Sequence, residues 1–279
     1  MPYEGPQDSR PRLVVPYWPP APGDPGDTGD LRPVPTTVPW YLCGGIRTST
    51  YLPGAPLEVT VDVRNLGGST APALAEVTVW WTDPTLGFVI EPSNLVGYRQ
   101  VPVPPRGGAA STAVMTKLMP ADAPPHICLL ARVSHRDDPA PAVADPVGDR
   151  HWAQRNLAVV TAPPGGGTVA LPVLAANPFD EAAEFRVHVG VPEHAGLLAG
   201  ADGVDGRRAV DLRPLVVLDG VRGDGAVSVD VALGPGEVRR LEAEVHVEGL
   251  DDRAFVALEI AQRHGRRRLG GLGLVVVGG

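Results

Sequence analysis

Aromatic residues are scarce in this chain: Phe, Trp and Tyr together make up 5% of 279 residues. A core must therefore come from Val, Leu and Ala, and Val is a strand former. Cysteine is scarcer still, with only Cys43 and Cys128. Two thiols do not make the disulfide framework of a small secreted domain. A bridge between them would close a long loop, worth roughly 4–5 kcal/mol in the chain-entropy picture; two reduced thiols are the simpler expectation. Long apolar runs are missing, since LGGLGLVVVGG is too short and glycine-rich to cross a bilayer. The opening MPYEGPQDSRPRLVVPYWPP has neither the basic nor the apolar region of a secretory signal. Basic excess is missing too. A net charge of −8 argues against general nucleic-acid or anionic-membrane binding. The expectation is a soluble protein without membrane insertion, cytoplasmic, exported without a leader, or recorded without its leader.

Catalytic signatures are absent as well. There is no G-x-S-x-G, no H-E-x-x-H and no phosphate-binding G-x-x-x-x-G-K-[ST]. The seven histidines are dispersed, and His188 and His246 alternate with apolar neighbours, which places them on solvated outer faces of strands. The expectation is a protein that is not an enzyme and needs no cofactor.

What the chain has in abundance is glycine and proline, 34 and 32 residues, which favours short strands and turns over long helices. In LEVTVDVRN, Leu57, Val59, Val61 and Val63 alternate with polar residues, and Val77, Val79 and Trp81 repeat the pattern in AEVTVWW. Period two marks a strand with one face in a core. Asn65, Gly67, Gly68, Ser69 and Pro72 supply turn chemistry between the two runs.

The fold class this predicts is all-β: two tandem immunoglobulin-like β-sandwich domains behind a Pro-rich extended N-terminal arm. Residues 1–37 form the arm, too rich in Pro, Gly and Asp to bury a core of its own, with Tyr17 and Trp18 as its docking residues; an extended arm lying on its own sandwich is the simpler expectation, and docking on a partner the other. The first sandwich spans 38–162, with RNLAVVTA as its last strand, and seven or so short strands at this spacing suit the immunoglobulin pattern. Residues 163–167, PPGGG, form a linker. The second sandwich spans 168–279 and restates the first: a strand ending at an Asn (Asn177), a turn, then the alternating Phe185, Val187, Val189 and Val191.

The runs Val59–Gly67, Glu76–Pro84, His126–Pro139 and Ala153–Val159 together resemble a bacterial immunoglobulin-like module of the CARDB/adhesion type, carrying "VRNxG…WWxDP…HxCLLARV…AQRN". Nearly all of the first sandwich is covered. Asp149-Arg150-His151-Trp152 replaces the family's Asn run. The resemblance implies an accessory or structural module and brings no catalytic residue.

The polar loop after the CLLARV strand gathers His135, Asp137, Asp138, Asp145, Asp149 and His151, residue types that bind Ca²⁺ or another divalent metal when they converge. Arg136 and Arg150 oppose a cation there, and turn polarity is the simpler account. Arg222-Gly223-Asp224 falls between glycines as an exposed turn, resembling an integrin-recognition signal. The run Arg263 to Arg268 is a basic patch suited to an acidic partner, and reads more simply as a charged hairpin tip that discourages edge pairing. Trp80 and Trp81 must point to opposite faces, so Trp80, with Cys128 and Leu130, is expected on the outer face as a contact surface. The functional expectation is a non-enzymatic binding or assembly protein. It would be a structural or accessory part of a larger bacterial assembly, secreted or phage-tail-like in form. A protein partner or self-association is expected, and a glycan is the alternative, with Trp80, Tyr98 and Trp152 as available aromatics. The second alternative is a metal-dependent enzyme or accessory chain using residues 135–151.

Overall fold

The structure, a computed structural model, describes residues 8–201, 203–204 and 206–279. It is all-β; among the described residues the helical elements are the 3-10 turns Pro92–Asn94 and Ala195–Gly200. No helix is long and apolar enough to cross a membrane among the described residues. The chain divides into two compact units. One holds residues 8–34, Leu42–Asp83 and Ile90–Arg155, and the other Pro35–Tyr41, Pro84–Val89 and Asn156–Gly279. This division runs differently from the sequence boundaries, because two short pieces of the first half pack with the second.

Unit 1 contains β1 (Leu13–Val14), β2 (Ile46–Thr48), β3 (Pro56–Asn65), β4 (Ala73–Thr82), β5 (Leu95–Val103), β6 (Gly108–Ser111), β7 (Met115–Leu118), β8 (Cys128–Ser134) and β9 (Trp152–Arg155). In one sheet β3 pairs with β1, β2, β6 and β7; the other runs β5-β4-β8-β9. The alternation in β3 does what it promises: Leu57, Val59, Val61 and Val63 are buried. Val77, Val79 and Trp81 of β4 are buried as well. Each aliphatic side chain so buried contributes about 1.5–3 kcal/mol. The arm is part of this unit rather than a free extension. Leu13 and Val14 pair antiparallel with Asn65 and Arg64, and Leu13, Val14, Val15 and Tyr17 are buried.

Unit 2 contains β10 (Leu157–Thr161), β11 (Gly166–Ala176), β12 (Ala183–Gly190), β13 (Arg208–Ala209), β14 (Leu215–Leu218), β15 (Val221–Asp224), β16 (Ala226–Leu233), β17 (Val238–Glu248), β18 (Ala254–His264) and β19 (Arg267–Val277). One sheet runs β11-β17-β14-β15 and the other β10-β19-β18-β12-β16. Val173, Leu241, Val245 and Val216 of the first share a core with Phe185, Val187, Leu258, Ile260 and Leu274 of the second. Two readings change here. β10, taken as the last strand of the first sandwich, runs parallel to β19. Gly166 and Gly167, taken as linker, already pair with Glu248 and Val247.

The two units repeat one pairing scheme. β3 against β6 and β7 corresponds to β11 against β17, and β5-β4-β8-β9 corresponds to β16-β12-β18-β19. The Asn that ends the first strand does the same work twice. Asn65 Oδ1 accepts the Gly67 amide at 3.0 Å, and Asn177 Oδ1 accepts the Phe179 amide at 3.0 Å. Both side chains are fully buried and close the turn into the next strand.

Candidate functional site

The polar loop between β8 and β9 folds into an ion network. Asp138 Oδ1 accepts from Arg150 Nη2 at 2.5 Å, and its Oδ2 accepts the Leu13 amide at 2.7 Å. His151 sits between carboxylates, Nδ1 2.8 Å from Asp149 Oδ1 and Nε2 3.2 Å from Asp138 Oδ1. Burial alone would lower the His151 pKa, but Asp138 and Asp149 outweigh it and the net shift is upward. Burial alone would raise the two aspartates, yet His151 and Arg150 hold both below the usual carboxylate range. Asp145 accepts the Gly148 amide. His135 Nδ1 accepts the Asp137 amide, and Asp137 lies against Arg136 at the surface. Of the six residues read as cation ligands, Asp138, Asp149 and His151 come together as an ion network, while His135, Asp137 and Asp145 have other partners. Among the described residues no three His, Cys, Asp or Glu side chains are placed to hold a metal ion. The carboxylates already have guanidinium, imidazole and amide partners. What the network holds is the N-terminal segment: Leu13 is fixed by Asp138, and the Val15 amide donates to Arg150 O at 3.2 Å.

A second lock lies beside it. Asp27, fully buried, receives Arg32 through both oxygens at 3.0 and 2.8 Å and the Tyr17 amide at 2.9 Å. The Tyr17 hydroxyl donates to Pro146 O at 2.9 Å. Tyr17 is thus an anchor rather than an exposed contact residue, and Trp18 is half-buried.

The proposed outer face changes in the same way. Trp80, Leu130 and Gln154 lie abreast on β4, β8 and β9, on the face away from Trp81 as expected. Yet Trp80 is 8% exposed, and Cys128 and Leu130 are fully buried. Trp80 packs on Trp152 at 6.0 Å, and Arg132 lies over both rings at 5.4 and 5.7 Å. The indole of Trp152 donates to Pro141 O. These residues form a second buried layer, so they offer no open contact surface, and of the three aromatics considered for a glycan only Tyr98 is exposed. Both cysteines are buried and unbridged, and burial pushes the Cys43 thiol up to about 12. Arg222-Gly223-Asp224 lies within β15, paired with β14, rather than in a turn.

The arrangement that sequence reasoning missed lies in unit 2. The segment Pro35–Tyr41 lays Trp40 and Tyr41 across the outer face of β19. A Cβ on Gly271 would stand 2.7 Å from Trp40 Cη2, and one on Gly273 would collide with the Tyr41 ring. Trp40 Nε1 donates to Glu259 Oε2 at 3.1 Å, and Arg268 stacks over the Trp40 ring at 4.5 Å. His194 Nε2 is 2.8 Å from the Tyr41 hydroxyl and its Nδ1 2.9 Å from Thr36 O. A carbonyl only accepts, so Nδ1 carries the proton and Nε2 accepts from Tyr41. Burial lowers the His194 pKa, keeping the ring neutral. Half of this was signalled: Gly271 and Gly273 share one strand face, a mark of close approach by another group.

No protein-family model matches the chain, and no curated protein matches it. Among solved structures it is similar to a β-glucuronidase of Bacteroides uniformis, with a TM-score of 0.29, 12% identity, and coverage of 80% of this chain and 26% of that one. It is similar too to β-glucuronidase 2 of the same organism, covalently bound to cyclophellitol-6-carboxylate aziridine, with a TM-score of 0.29, 12% identity, and coverage of 97% and 32%. The chain spans about a quarter to a third of these structures' length. Likeness at this level bears on neither activity nor fold.

Proposed function

We propose that this chain is a non-catalytic assembly protein, a structural or accessory part of a larger bacterial assembly that associates through its sandwich surfaces. The observation that carries the reading is an apolar edge in unit 1. Leu95, Tyr98, Val114 and Leu118 are 39, 43, 46 and 70% exposed. They lie along the adjoining rims of β5 and β7, where Lys117 Nζ donates to Leu95 O and Arg99 Nη2 to Val114 O. Grouped apolar side chains of this size mark contact sites. The edge takes over the role expected of Trp80, Cys128 and Leu130, and the CARDB/adhesion-type resemblance supports the same class of function. Within the 135–151 loop, Asp138 fastens the N-terminal segment at Leu13 and is itself held by Arg150 and His151. Light scattering on the full chain tests the reading. The expected mass is a multiple of 29.2 kDa, returning to the monomer in a Val114→Glu, Leu118→Glu variant with unchanged circular dichroism. A wild-type monomer at about 100 μM, a concentration that reveals even weak self-association, would count against it.

A further inference from the structure

The outer face of unit 2's larger sheet carries three arginines abreast. Arg186 pairs with Arg263 across β12 and β18, and Arg263 with Arg268 across β18 and β19. Cross-strand partners stand roughly 4.5–5.5 Å apart at Cα, and like charges directly opposite destabilise a sheet. Strict alternation would not produce this row, because Arg268 has the parity of Leu272 and Leu274, which point into the core. A bulge at Gln262/Arg263 shifts the register. It sends Leu269 into the core and brings Arg268 onto the face of Gly271 and Gly273. Bulges re-aim side chains in this way beside functional sites.

Three carboxylates share this face, Glu184 and Asp230 beside Arg186 and Glu259 beside Arg268, but they are unevenly placed. Arg186 is satisfied by Asp230, through two bonds of 2.8 and 3.0 Å. Glu259 lies 3.4 Å from Arg268 and also holds the Trp40 indole. Arg263 is left in the middle, without an ion pair among the described residues, and its Nε is buried without a hydrogen-bond partner among them. His188, one position along the same face from Arg186, bonds Ser228 Oγ through Nδ1 at 2.9 Å. Burial, and then the Arg263 charge, lower its pKa. A half-buried guanidinium between two like charges is a place where a bound anion relieves repulsion.

We propose that Arg263 and Arg268, flanked by His188, bind an oxyanion: a carboxylate, phosphate or sulfate group that supplies Arg263 with a counter-charge. Guanidinium forks suit such groups because they donate in pairs, and stacking on Trp40 fixes the plane of Arg268. The site lies in unit 2 and is independent of the apolar edge of unit 1.

The test is calorimetric titration of the full chain, with parallel melting curves, in sodium phosphate, sulfate and acetate against sodium chloride at matched ionic strength. At least one oxyanion is expected to bind saturably, and which of the three does so sorts the ligand group. Arg263→Gln abolishes the heat of binding and melts no lower than wild type in chloride, because it removes an opposed like charge. Arg263→Lys, charged but without the fork, weakens binding at least tenfold. Non-specific stabilisation by phosphate or sulfate appears equally in every variant, so the difference between variants is the readout. No saturable binding of any of the three anions, or equal binding by Arg263→Gln, would overturn the proposal.

Discussion

The two units solve one problem by different means. In unit 1 the long first strand, β3, is flanked by β1 and β2, strands drawn from the N-terminal side of the chain. Its counterpart in unit 2, β11, has β17 on one side and on the other a single bridge, where Leu174 exchanges hydrogen bonds with Pro84 and Leu86. The Leu174 amide thus points away from β17. Alternate residues share that direction, so Pro172 stands where another outward amide would be. A strand with neighbours needs no such device, and the proline of β3, Pro56, is its first residue. A strand left as an edge has one, which prevents another chain from continuing the ladder. The fastenings differ as well. Residues 8–34 are held to unit 1 by buried ion pairs, and Pro35–Tyr41 is held in unit 2 by aromatic rings on a glycine floor.

Substitutions can break this contrast, and the largest effect belongs to the ion network. Asp138→Ala removes the partner of Arg150 and His151 and the acceptor for Leu13. It should cost about 3 kcal/mol, the scale for stripping one member from a mostly buried pair. Urea denaturation, with faster proteolysis within residues 8–34, checks this. On the glycine floor, Gly273→Ala drives a methyl into Tyr41 and should cost about 2 kcal/mol by overpacking, with proteolysis now advancing at 35–41 instead. The smallest change in stability comes from Pro172→Thr, within about 0.5 kcal/mol. Its signature is association: the restored outward amide should make sedimentation concentration-dependent, and an unchanged profile would remove the edge-blocking role.

Much of the all-β fold was legible, because period-two alternation in β3, β4, β12 and β17 depends only on one face being dry. The repeat was legible through Asn65 and Asn177, since a buried Asn that closes a turn leaves the same mark twice. The burial of Trp80 was not. Position on an outer face is set by alternation, but cover comes from Arg132, Trp152 and a loop whose path no local pattern encodes. The polar loop showed its composition and hid its pairing, as carboxylates read alike whether they face a metal or an arginine. The basic patch was legible in the run, but the Arg263 row was hidden by the bulge, which reverses parity at Arg268.

Acidification through the histidine range separates the two fastenings most sharply. His151 has a folded pKa above its ordinary value. Its contribution is fully present below the unfolded value of about 6.5 and is lost as pH rises through the folded one. His194, buried near Glu259, Arg268 and Glu193, has a folded pKa below its ordinary value. Its contribution is present above about pH 6.5 and is lost as pH falls. The decisive measurement is amide hydrogen exchange from pH 8 to 5.5, corrected for intrinsic rate. It would follow Val15, bonded to Arg150, and Asn156, bonded to Tyr41. Protection should rise at Val15 and fall at Asn156 as the solution is acidified. Movement of both in one direction, or of neither, would contradict the claim that these two histidines fasten the two segments.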